Sequence, residues 1–272
     1  MSRLLTPDAQ RRRIASMPLP DEGHGVDVFG VNRAWVAFGV GLMRGLYEHW
    51  FRVESRGHDN IPSRGAAILA ANHSGTLPFD AMMLWADVVR NTNPPRLART
   101  IADHFVPNLP FISTLYARTG AVGGSRANLH ALLEREDLVA VFPEGTPGIG
   151  KHYRDRYRLQ TWRVGHVEFA LRHRAPVVPV AIVGAEEQMP QVGRIPVGSK
   201  VFGAPYLPVT LTPFPLPVKY HIRYGEPLHL HRSFDPERYA DPEVLERAAG
   251  LVAGKVNELI EQGLRDRNGV FR

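Results

Sequence analysis

The 272-residue chain contains no cysteine. It therefore cannot form a disulfide, a thiolate metal site or a cysteine nucleophile, and its composition suits a reducing compartment. We also expect no secretory signal, because the first residues run through three successive arginines to Pro18 without an apolar core segment. We expect residues 1–33 to form a loosely attached N-terminal arm.

Long apolar runs are scarce. The uncharged run that begins at Ala34 is interrupted by Arg44 and Glu48, well short of the ~20 residues that a membrane-spanning helix needs. Residues 34–50 instead have the spacing of an amphipathic helix. Its apolar face carries Trp35, Phe38, Leu42, Leu46 and Trp50. Tryptophan at both ends suits a membrane interface, but a helix packed on the protein core would show the same periodicity, and both interpretations stay open.

A second uncharged stretch, residues 201–218, contains five prolines. Proline removes a backbone donor and clashes within a helix, so a helix is excluded here. We expect an extended apolar loop that packs over the domain or contacts lipid or an acyl chain.

Lysine is rare. All but four of the 33 basic residues are arginine, and the formal net charge is +6. The planar arginine fork binds phosphate and carboxylate, so the charge favours phospholipid surfaces, coenzyme A phosphates or nucleic acid as partners. No nucleic acid is expected, because the basic residues have no interleaved aromatic platform and belong to no recognised nucleic-acid-binding module.

Predicted strands and helices alternate along the rest of the chain. Apolar runs at Ala66–Ala71, Leu138–Phe142 and Val177–Val183 are typical of buried parallel strands. Asp241 followed by Pro242 marks the start of a last helix. The other predicted elements are strands at Phe51–Arg56 and Leu97–Ile101 and helices at Phe79–Val89, Phe111–Ala117, Arg126–Arg135 and Thr161–His173. This order predicts an α/β fold with a mostly parallel or mixed central sheet covered by helices.

A chain of this length can form one large domain with appended helices. We divide it into the N-terminal arm at residues 1–33, an amphipathic membrane-associating helix at 34–50, an α/β domain at 51–240 and a C-terminal helix packed on that domain at 241–272. Functional side chains are expected at the carboxyl ends of the strands.

A histidine follows the first of these buried strands, in the segment Asn72-His73-Ser74-Gly75-Thr76-Leu77-Pro78-Phe79-Asp80. If His73 and Asp80 meet, the carboxylate fixes the imidazole tautomer and stabilises the imidazolium that forms on proton uptake. His73 is thus a candidate general base, a role that contributes on the order of 10²–10⁴ in rate. The pair alone is a weak signal, because most loop histidines are structural or merely exposed.

Three further segments follow in order. Gly120–Arg126 places a glycine-rich turn before an arginine, and glycine lets backbone amides approach an anionic or glycerol-like group. Val141–Thr146 puts a carboxylate and a hydroxyl at the end of a buried strand. Pro176–Gly184 is a strand that begins with and contains proline. Each segment alone is equally explained by a turn or a core strand.

Together and in this order, the four segments resemble the four sequence blocks of the glycerolipid acyltransferase family related to bacterial 1-acylglycerol-3-phosphate acyltransferase. The resemblance extends from about Phe51 to about Gly225, and its most specific parts are Asn72-His73 and Phe142–Thr146. It implies an acyltransferase whose general base is His73, oriented by Asp80. It also implies that several polar and glycine residues hold the acceptor: Asn72, Gly75, Arg126, Glu144, Gly145 and Thr146.

The chain departs from the family pattern in two places. Six residues lie between His73 and Asp80, where the family usually has four, and this longer spacing resembles a branch that includes acyltransferases of neutral glycerides and other acceptors. Pro147 stands where the family usually has an arginine that contacts acceptor phosphate, which argues against a phosphorylated acceptor. Lys151 is a candidate replacement for that contact. So are Arg154, Arg156 and Arg158, although a solvated basic loop explains each of these residues more simply.

Other classes of function are weaker. A hydrolase would need a nucleophile, and no Gly-x-Ser-x-Gly elbow occurs, although Ser74 remains a candidate. A zinc enzyme is disfavoured, because His229-Leu230-His231 lacks an evident third ligand. A catalytically inactive lipid-binding protein on the same scaffold is the remaining alternative, and the presence of His73, Asp80 and Glu144 argues against it.

We therefore expect transfer of a fatty-acyl group from an acyl thioester to a hydroxyl of a glycerolipid-type acceptor. The donor, acyl-CoA or acyl carrier protein, is a substrate, and no cofactor or metal is expected. The acceptor is expected to be a lysolipid or a glyceride. The expected location is peripheral, at the lipid surface on the cytoplasmic face of a membrane.

Overall fold

A mixed seven-stranded sheet forms the centre of the computed structural model, which describes residues 5–74, 77–102, 111–195 and 207–272. Along the chain the strands are β1 (Glu54–Arg56), β2 (Ala67–Ala71), β3 (Ala98–Ala102), β4 (Val122–Gly123), β5 (Leu138–Val141), β6 (Val177–Val183), β7 (Gln191–Ile195), β8 (Leu207–Thr210) and β9 (His221–Tyr224). The sheet order is β1-β9-β6-β2-β5-β3-β4, and β7 pairs with β8 in a separate antiparallel ribbon. Within the main sheet β6 and β9 are antiparallel and the other neighbours are parallel. The predicted mostly parallel or mixed sheet is confirmed.

Helices cover both faces of this sheet. In the described residues they are α1 (Asp8–Ala15), α2 (Arg33–Gly45), α3 (Phe79–Asn91), α4 (Ile112–Thr119), α5 (Arg126–Glu134), α6 (Thr146–Ile149), α7 (Gly165–Arg172), α8 (Leu230–Ser233) and α9 (Pro242–Asp266). A π-helical turn at Leu46–Trp50 continues α2. None of these helices is long and apolar enough to cross a bilayer.

The alternating side chains of the buried strands divide the core into two layers. On β2, Ala67, Leu69 and Ala71 pack in the cluster that includes α2 and α3. Ile68 and Ala70 pack in the opposite cluster, which includes α5, α7 and α9. A strand covered on both faces has no polar side to show, which is why its sequence is an unbroken apolar run.

The N-terminal segment packs on the domain, and this corrects the expectation of a loose arm. Ile14 and Met17, at and just beyond the end of α1, are buried in the core. Farther along, the buried Asp27 carboxylate accepts a hydrogen bond of 2.6 Å from Nη1 of Arg99 in β3. The Asp27–Arg99 contact joins residues 72 positions apart, and local sequence patterns carry no sign of it.

The predicted apolar face of residues 34–50 lies largely at the surface. Trp35, Leu42 and Trp50 are 40%, 48% and 42% exposed. The residues that pack α2 on the domain are small or β-branched and occupy its other side: Val36, Ala37, Gly39, Val40 and Gly41. The helix therefore has two apolar faces, and the described part of the protein covers only one of them fully.

Three predicted elements have different bounds. The helix predicted at Thr161–His173 begins at Gly165, because the Arg163 N–H donates to the Pro143 carbonyl at 3.0 Å and ties the preceding residues to another segment. In the predicted loop at 201–218, residues 207–210 form β8, and residues 201–206 lie outside the described part of the chain. The strand predicted at Phe51–Arg56 is shorter in the structure, where β1 contains only Glu54–Arg56.

Candidate active site

Four parallel strands end at one edge of the sheet. Because β2, β4, β5 and β6 run in the same direction, their carboxyl ends bring together segments that are far apart in sequence. His73 follows β2, Arg126 follows β4, Glu144 follows β5 and Glu186 follows β6. The candidate site is built at this edge.

His73 and Asp80 form a direct hydrogen bond. His73 Nδ1 lies 2.6 Å from Asp80 Oδ2, so the longer spacing does not keep the two side chains apart. Asp80 is fully buried in the first turn of α3, where the backbone N–H groups of Ser74 and Ala81 donate to its two oxygens at 2.9 and 2.8 Å. A carboxylate beside Nδ1 places the ring proton on that nitrogen and makes Nε2 the basic atom.

Glu144 lies behind the loop that carries His73. Its Oε1 accepts a hydrogen bond from the His73 backbone N–H at 2.9 Å, and its Oε2 accepts one from the Gln160 N–H at 2.7 Å. The side chain is buried. Both carboxylate oxygens are therefore engaged inside the protein, and Glu144 fixes the position of the His73 backbone instead of reaching an acceptor.

Lys151 is also inside the protein. Its side chain is 4% exposed, and its ammonium lies 3.2 Å from Glu144 Oε2 and 2.9 Å from Glu186 Oε1. Burial raises the pKa of Glu186 to about 7, and its other oxygen accepts a hydrogen bond from the Tyr157 N–H at 2.9 Å. This corrects the expectation that Lys151 contacts the acceptor. Sequence reasoning missed Glu186, whose only local signal is an acidic residue just past a buried strand.

Three other residues were predicted to hold the acceptor, and they differ in burial and position. Asn72 bridges two strands, because its Nδ2 donates to the Ile182 carbonyl at 3.0 Å and its Oδ1 accepts from the Ile182 N–H at 2.7 Å. It is fully buried, so the structure corrects its predicted role. Thr146 begins α6 and is half-buried. Gly75 lies outside the described residues.

A cavity of about 690 Å³ opens beside His73. Ligand sites typically enclose about 300–1,000 Å³, so this one suits a sizeable ligand. The Phe142 ring lies 4.4 Å from the His73 ring, centroid to centroid, and both line the cavity. Most of the wall is apolar and comes from four helices and the sheet edge: Leu42, Met43, Met82, Trp85, Leu115, Val141 and Phe169.

Two arginines belong to the described wall of the cavity. Arg126, the predicted acceptor contact, forms a two-pronged ion pair with Glu168, with Nη1 2.7 Å from Oε2. Its charge is thus matched within the protein. The Arg163 side chain has no ion pair or hydrogen bond in the part of the chain that the structure describes. Its guanidinium lies against Gly145, which also lines the cavity. Sequence reasoning missed Arg163 because it lies outside the four blocks.

His166 adds a neutral polar group to the wall. Its Nδ1 donates to the Arg163 carbonyl at 2.9 Å, and burial lowers the pKa of the imidazole to about 4. Nε2 is buried and has no hydrogen-bond partner among the described residues. The ring therefore stays uncharged near neutral pH.

The alternatives raised for Ser74 and for metal gain no support from the geometry. Ser74 is fully buried and is absent from the described wall of the cavity, so its hydroxyl does not face a substrate there. In the described residues, no group of three His, Cys, Asp or Glu side chains could hold a metal ion.

A histidine–aspartate pair at the carboxyl edge of a mixed sheet, beside an apolar cavity, defines an α/β protein suited to acyl transfer. Residues 52–183 match the family model described as Acyltransferase. The chain therefore carries an acyltransferase domain, and its sequence and fold are similar to those of glycerolipid acyltransferases.

Its relatives include proteins from bacteria and animals. An uncharacterized protein of Mycobacterium tuberculosis (strain ATCC 25618 / H37Rv) is 38% identical over 241 residues, which cover 85% of this chain and 66% of the relative. The DGAT1/2-independent enzyme synthesizing storage lipids of Gallus gallus is 26% identical over 235 residues, which cover 86% of this chain and 67% of the relative. The chain thus spans about two thirds of the length of these relatives.

A solved structure shares the fold. The crystal structure of the 1-acyl-sn-glycerophosphate (LPA) acyltransferase PlsC from Thermotoga maritima matches with a TM-score of 0.57 and 21% identity. The match covers 87% of this chain and 83% of that chain. The likeness extends the fold assignment over most of the described sheet and helices.

Proposed function

We propose that this protein transfers a fatty-acyl group from a thioester donor to a hydroxyl of a glycerolipid-type acceptor. The observation that carries the proposal is the 2.6 Å contact between His73 and Asp80 at the wall of an apolar cavity. A base held by a buried carboxylate is what an unactivated alcohol needs in order to attack a thioester.

The chemistry follows from the assigned tautomer. Nε2 of His73 takes the proton of the acceptor hydroxyl while its oxygen bonds to the thioester carbonyl carbon. The resulting imidazolium is stabilised by its hydrogen bond to the Asp80 carboxylate. When the tetrahedral intermediate collapses, the carbon–sulfur bond breaks and the departing thiolate takes the proton from His73. The products are an ester and a free thiol, and the histidine is again neutral.

The apolar wall supports a fatty-acyl ligand. Each methylene that leaves water for such a wall contributes about 0.8 kcal/mol. A filled cavity also keeps water from the thioester, which disfavours hydrolysis. The buried position of Ser74 makes a covalent hydrolase mechanism a weaker candidate than direct transfer to an alcohol.

Peripheral attachment to a membrane is part of the proposal. Leu42 is 48% exposed on α2 and also lines the cavity, so one residue belongs to both the exposed apolar face and the site. Trp35 and Trp50 extend that face, and tryptophan favours the membrane interface. The net charge of +6 favours anionic lipid, and because the cytoplasmic leaflet is rich in such lipid this charge supports attachment on that face.

The decisive experiment is an acceptor panel. Purified protein is mixed with liposomes and one of two donors that carry a labelled acyl group, acyl-CoA or acylated acyl carrier protein. Each reaction also contains one acceptor: lysophosphatidate, another lysophospholipid, monoacylglycerol or diacylglycerol. We expect an esterified product with at least one acceptor. Free fatty acid as the main product in every reaction would identify a hydrolase, and the absence of both products would favour an inactive lipid-binding protein.

Two variants test the base. His73→Ala should abolish measurable transfer, and Asp80→Asn should lower kcat by roughly 10²–10⁴ with little change in KM, because an amide no longer holds the reactive tautomer. His24→Ala, an exposed histidine outside the cavity wall, is the matched control. Full transfer by His73→Ala would overturn the assignment.

A further inference from the structure

We propose that Arg163 binds a phosphate group of one of the two substrates beside His73. The inference rests on the proposed acyl transfer and names a substrate contact within that site. It starts from the sequence departure at Pro147, which leaves the site without the arginine that the family pattern places there.

The fold brings Arg163 to the turn that precedes Pro147. The Arg163 N–H donates to the Pro143 carbonyl at 3.0 Å, which fixes its backbone beside this turn. Its guanidinium carbon lies only 2.9 Å from the point that a Cβ atom on Gly145 would occupy. Glycine at 145 therefore leaves room for the guanidinium to lie on the turn, where Arg163, Gly145 and His73 line the same cavity.

The other candidate cations are either matched by carboxylates or lie off the described wall of the cavity. Arg126 is held by both oxygens of Glu168, and Lys151 is held by Glu144 and Glu186 behind the His73 loop. The arginines at 154, 156 and 158 are exposed and are not on the described wall of the cavity. Among the described residues that line the cavity, Arg163 is the cation without a carboxylate partner.

Guanidinium and phosphate are complementary in charge and in geometry. Two parallel N–H donors of arginine match two phosphate oxygens, which a single lysine ammonium cannot reproduce. A phosphate at this position belongs either to the headgroup of the acceptor or to the coenzyme A part of the donor. Both carry the same chemistry, and substrates that lack phosphate separate them.

The test compares Arg163→Gln with the wild type on matched substrates. The acceptors are lysophosphatidate and monoacylglycerol with the same acyl chain, and the donors are acyl-CoA and the acyl thioester of N-acetylcysteamine, which has no phosphate. We expect KM for one phosphate-bearing substrate to rise roughly 10- to 100-fold, with its phosphate-free counterpart unchanged. The affected substrate identifies the source of the phosphate. Arg163→Lys should recover part of the loss.

Two controls keep the outcome interpretable. Arg158→Gln removes an exposed arginine, 81% accessible at its side chain, that is outside the cavity wall and should change neither KM. Because Arg163 is also exposed, its variants should keep the thermal unfolding midpoint of the wild type. Equal effects on phosphate-bearing and phosphate-free substrates, or no effect on either, would overturn the proposal.

Binding measured by titration calorimetry separates this inference from the proposed function. Coenzyme A and lysophosphatidate are titrated into the wild type and into Arg163→Gln without turnover. Weaker binding of one ligand by the variant supports the phosphate contact even if no acyl transfer is detected. Unchanged binding of both ligands contradicts the contact, and a wild type that still transfers acyl groups would then retain the proposed function.

Discussion

Replacing Lys151 by methionine removes the cation that lies between Glu144 and Glu186. The lysine ammonium lies 3.2 and 2.9 Å from these two carboxylates, and all three side chains are at most 5% exposed. The variant leaves two acidic groups facing each other without a countercharge. Because Glu144 holds the His73 N–H, we expect the loss of both stability and activity.

The magnitude follows from the burial of the pair. Breaking a buried ion pair by removing one partner costs about 3–5 kcal/mol, which corresponds to a decrease of roughly 6–20 °C in the unfolding midpoint for a protein of this size. Burial already raises the pKa of Glu186 to about 7 in the wild type. Without the ammonium this pKa rises further.

The sign of the pH dependence follows from that shift. A carboxyl whose native pKa lies above its unfolded value of about 4.3 binds its proton more tightly in the native state. Stability is then lost as pH rises through the window between the two values. The deficit of Lys151→Met should be largest at pH 8 and should shrink toward pH 5.5.

Chemical denaturation at both pH values measures the deficit. Lys255→Met, which removes a half-exposed lysine paired with Glu258, is the matched control and should cost less than 1 kcal/mol. The double variant Lys151→Met/Glu186→Gln returns the cluster to a single uncompensated carboxylate and should recover part of the loss. If the double variant is no more stable than the single one, or if the deficit is the same at both pH values, the electrostatic reasoning is wrong.

Two further predictions concern the N-terminal part of the chain. Trp35→Ser/Leu42→Ser should weaken cosedimentation with anionic liposomes at least several-fold, because each change removes exposed apolar area from the proposed membrane face. Leu251→Ser, 40% exposed on α9, should bind like the wild type, and unchanged binding by the double variant would contradict membrane docking through α2. Asp27→Asn should destabilise the protein by about 3–5 kcal/mol in urea unfolding, because it leaves the buried guanidinium of Arg99 without its carboxylate. A cost below 1 kcal/mol would show that this ion pair does not hold the N-terminal segment.

The parts of the fold that could be predicted from sequence are those with strong local patterns. β6 was predicted with the bounds that it has, and β2 to within one residue, because a strand buried on both faces is apolar at every position. The last helix starts where predicted, since the Asp241 side chain caps it and Pro242 occupies its first position. The order of the four blocks likewise indicates an acyltransferase, because it depends on residue types along the chain and not on their positions in space.

Placement relative to the cavity could not be predicted in the same way. Glu144 and Lys151 were assigned to the acceptor from their positions in and after the third block, but the structure buries both behind the His73 loop. Whether a charged side chain faces a ligand or a neighbouring carboxylate depends on contacts such as that of Lys151 with Glu186, 35 residues away. Local spacing contains no information about such partners.

The sequence by itself determined the alternation of strands and helices, the His73–Asp80 candidate pair and the resemblance to acyltransferases, because each depends on residue types and their order along the chain. Only the tertiary structure decided that the N-terminal segment is packed, that Asn72 joins two strands, and that Arg163 lies on the turn at Gly145. These depend on which chain segments the sheet order brings together. The electrostatic environment of each charge is therefore a property of the folded chain and not of its neighbours in sequence.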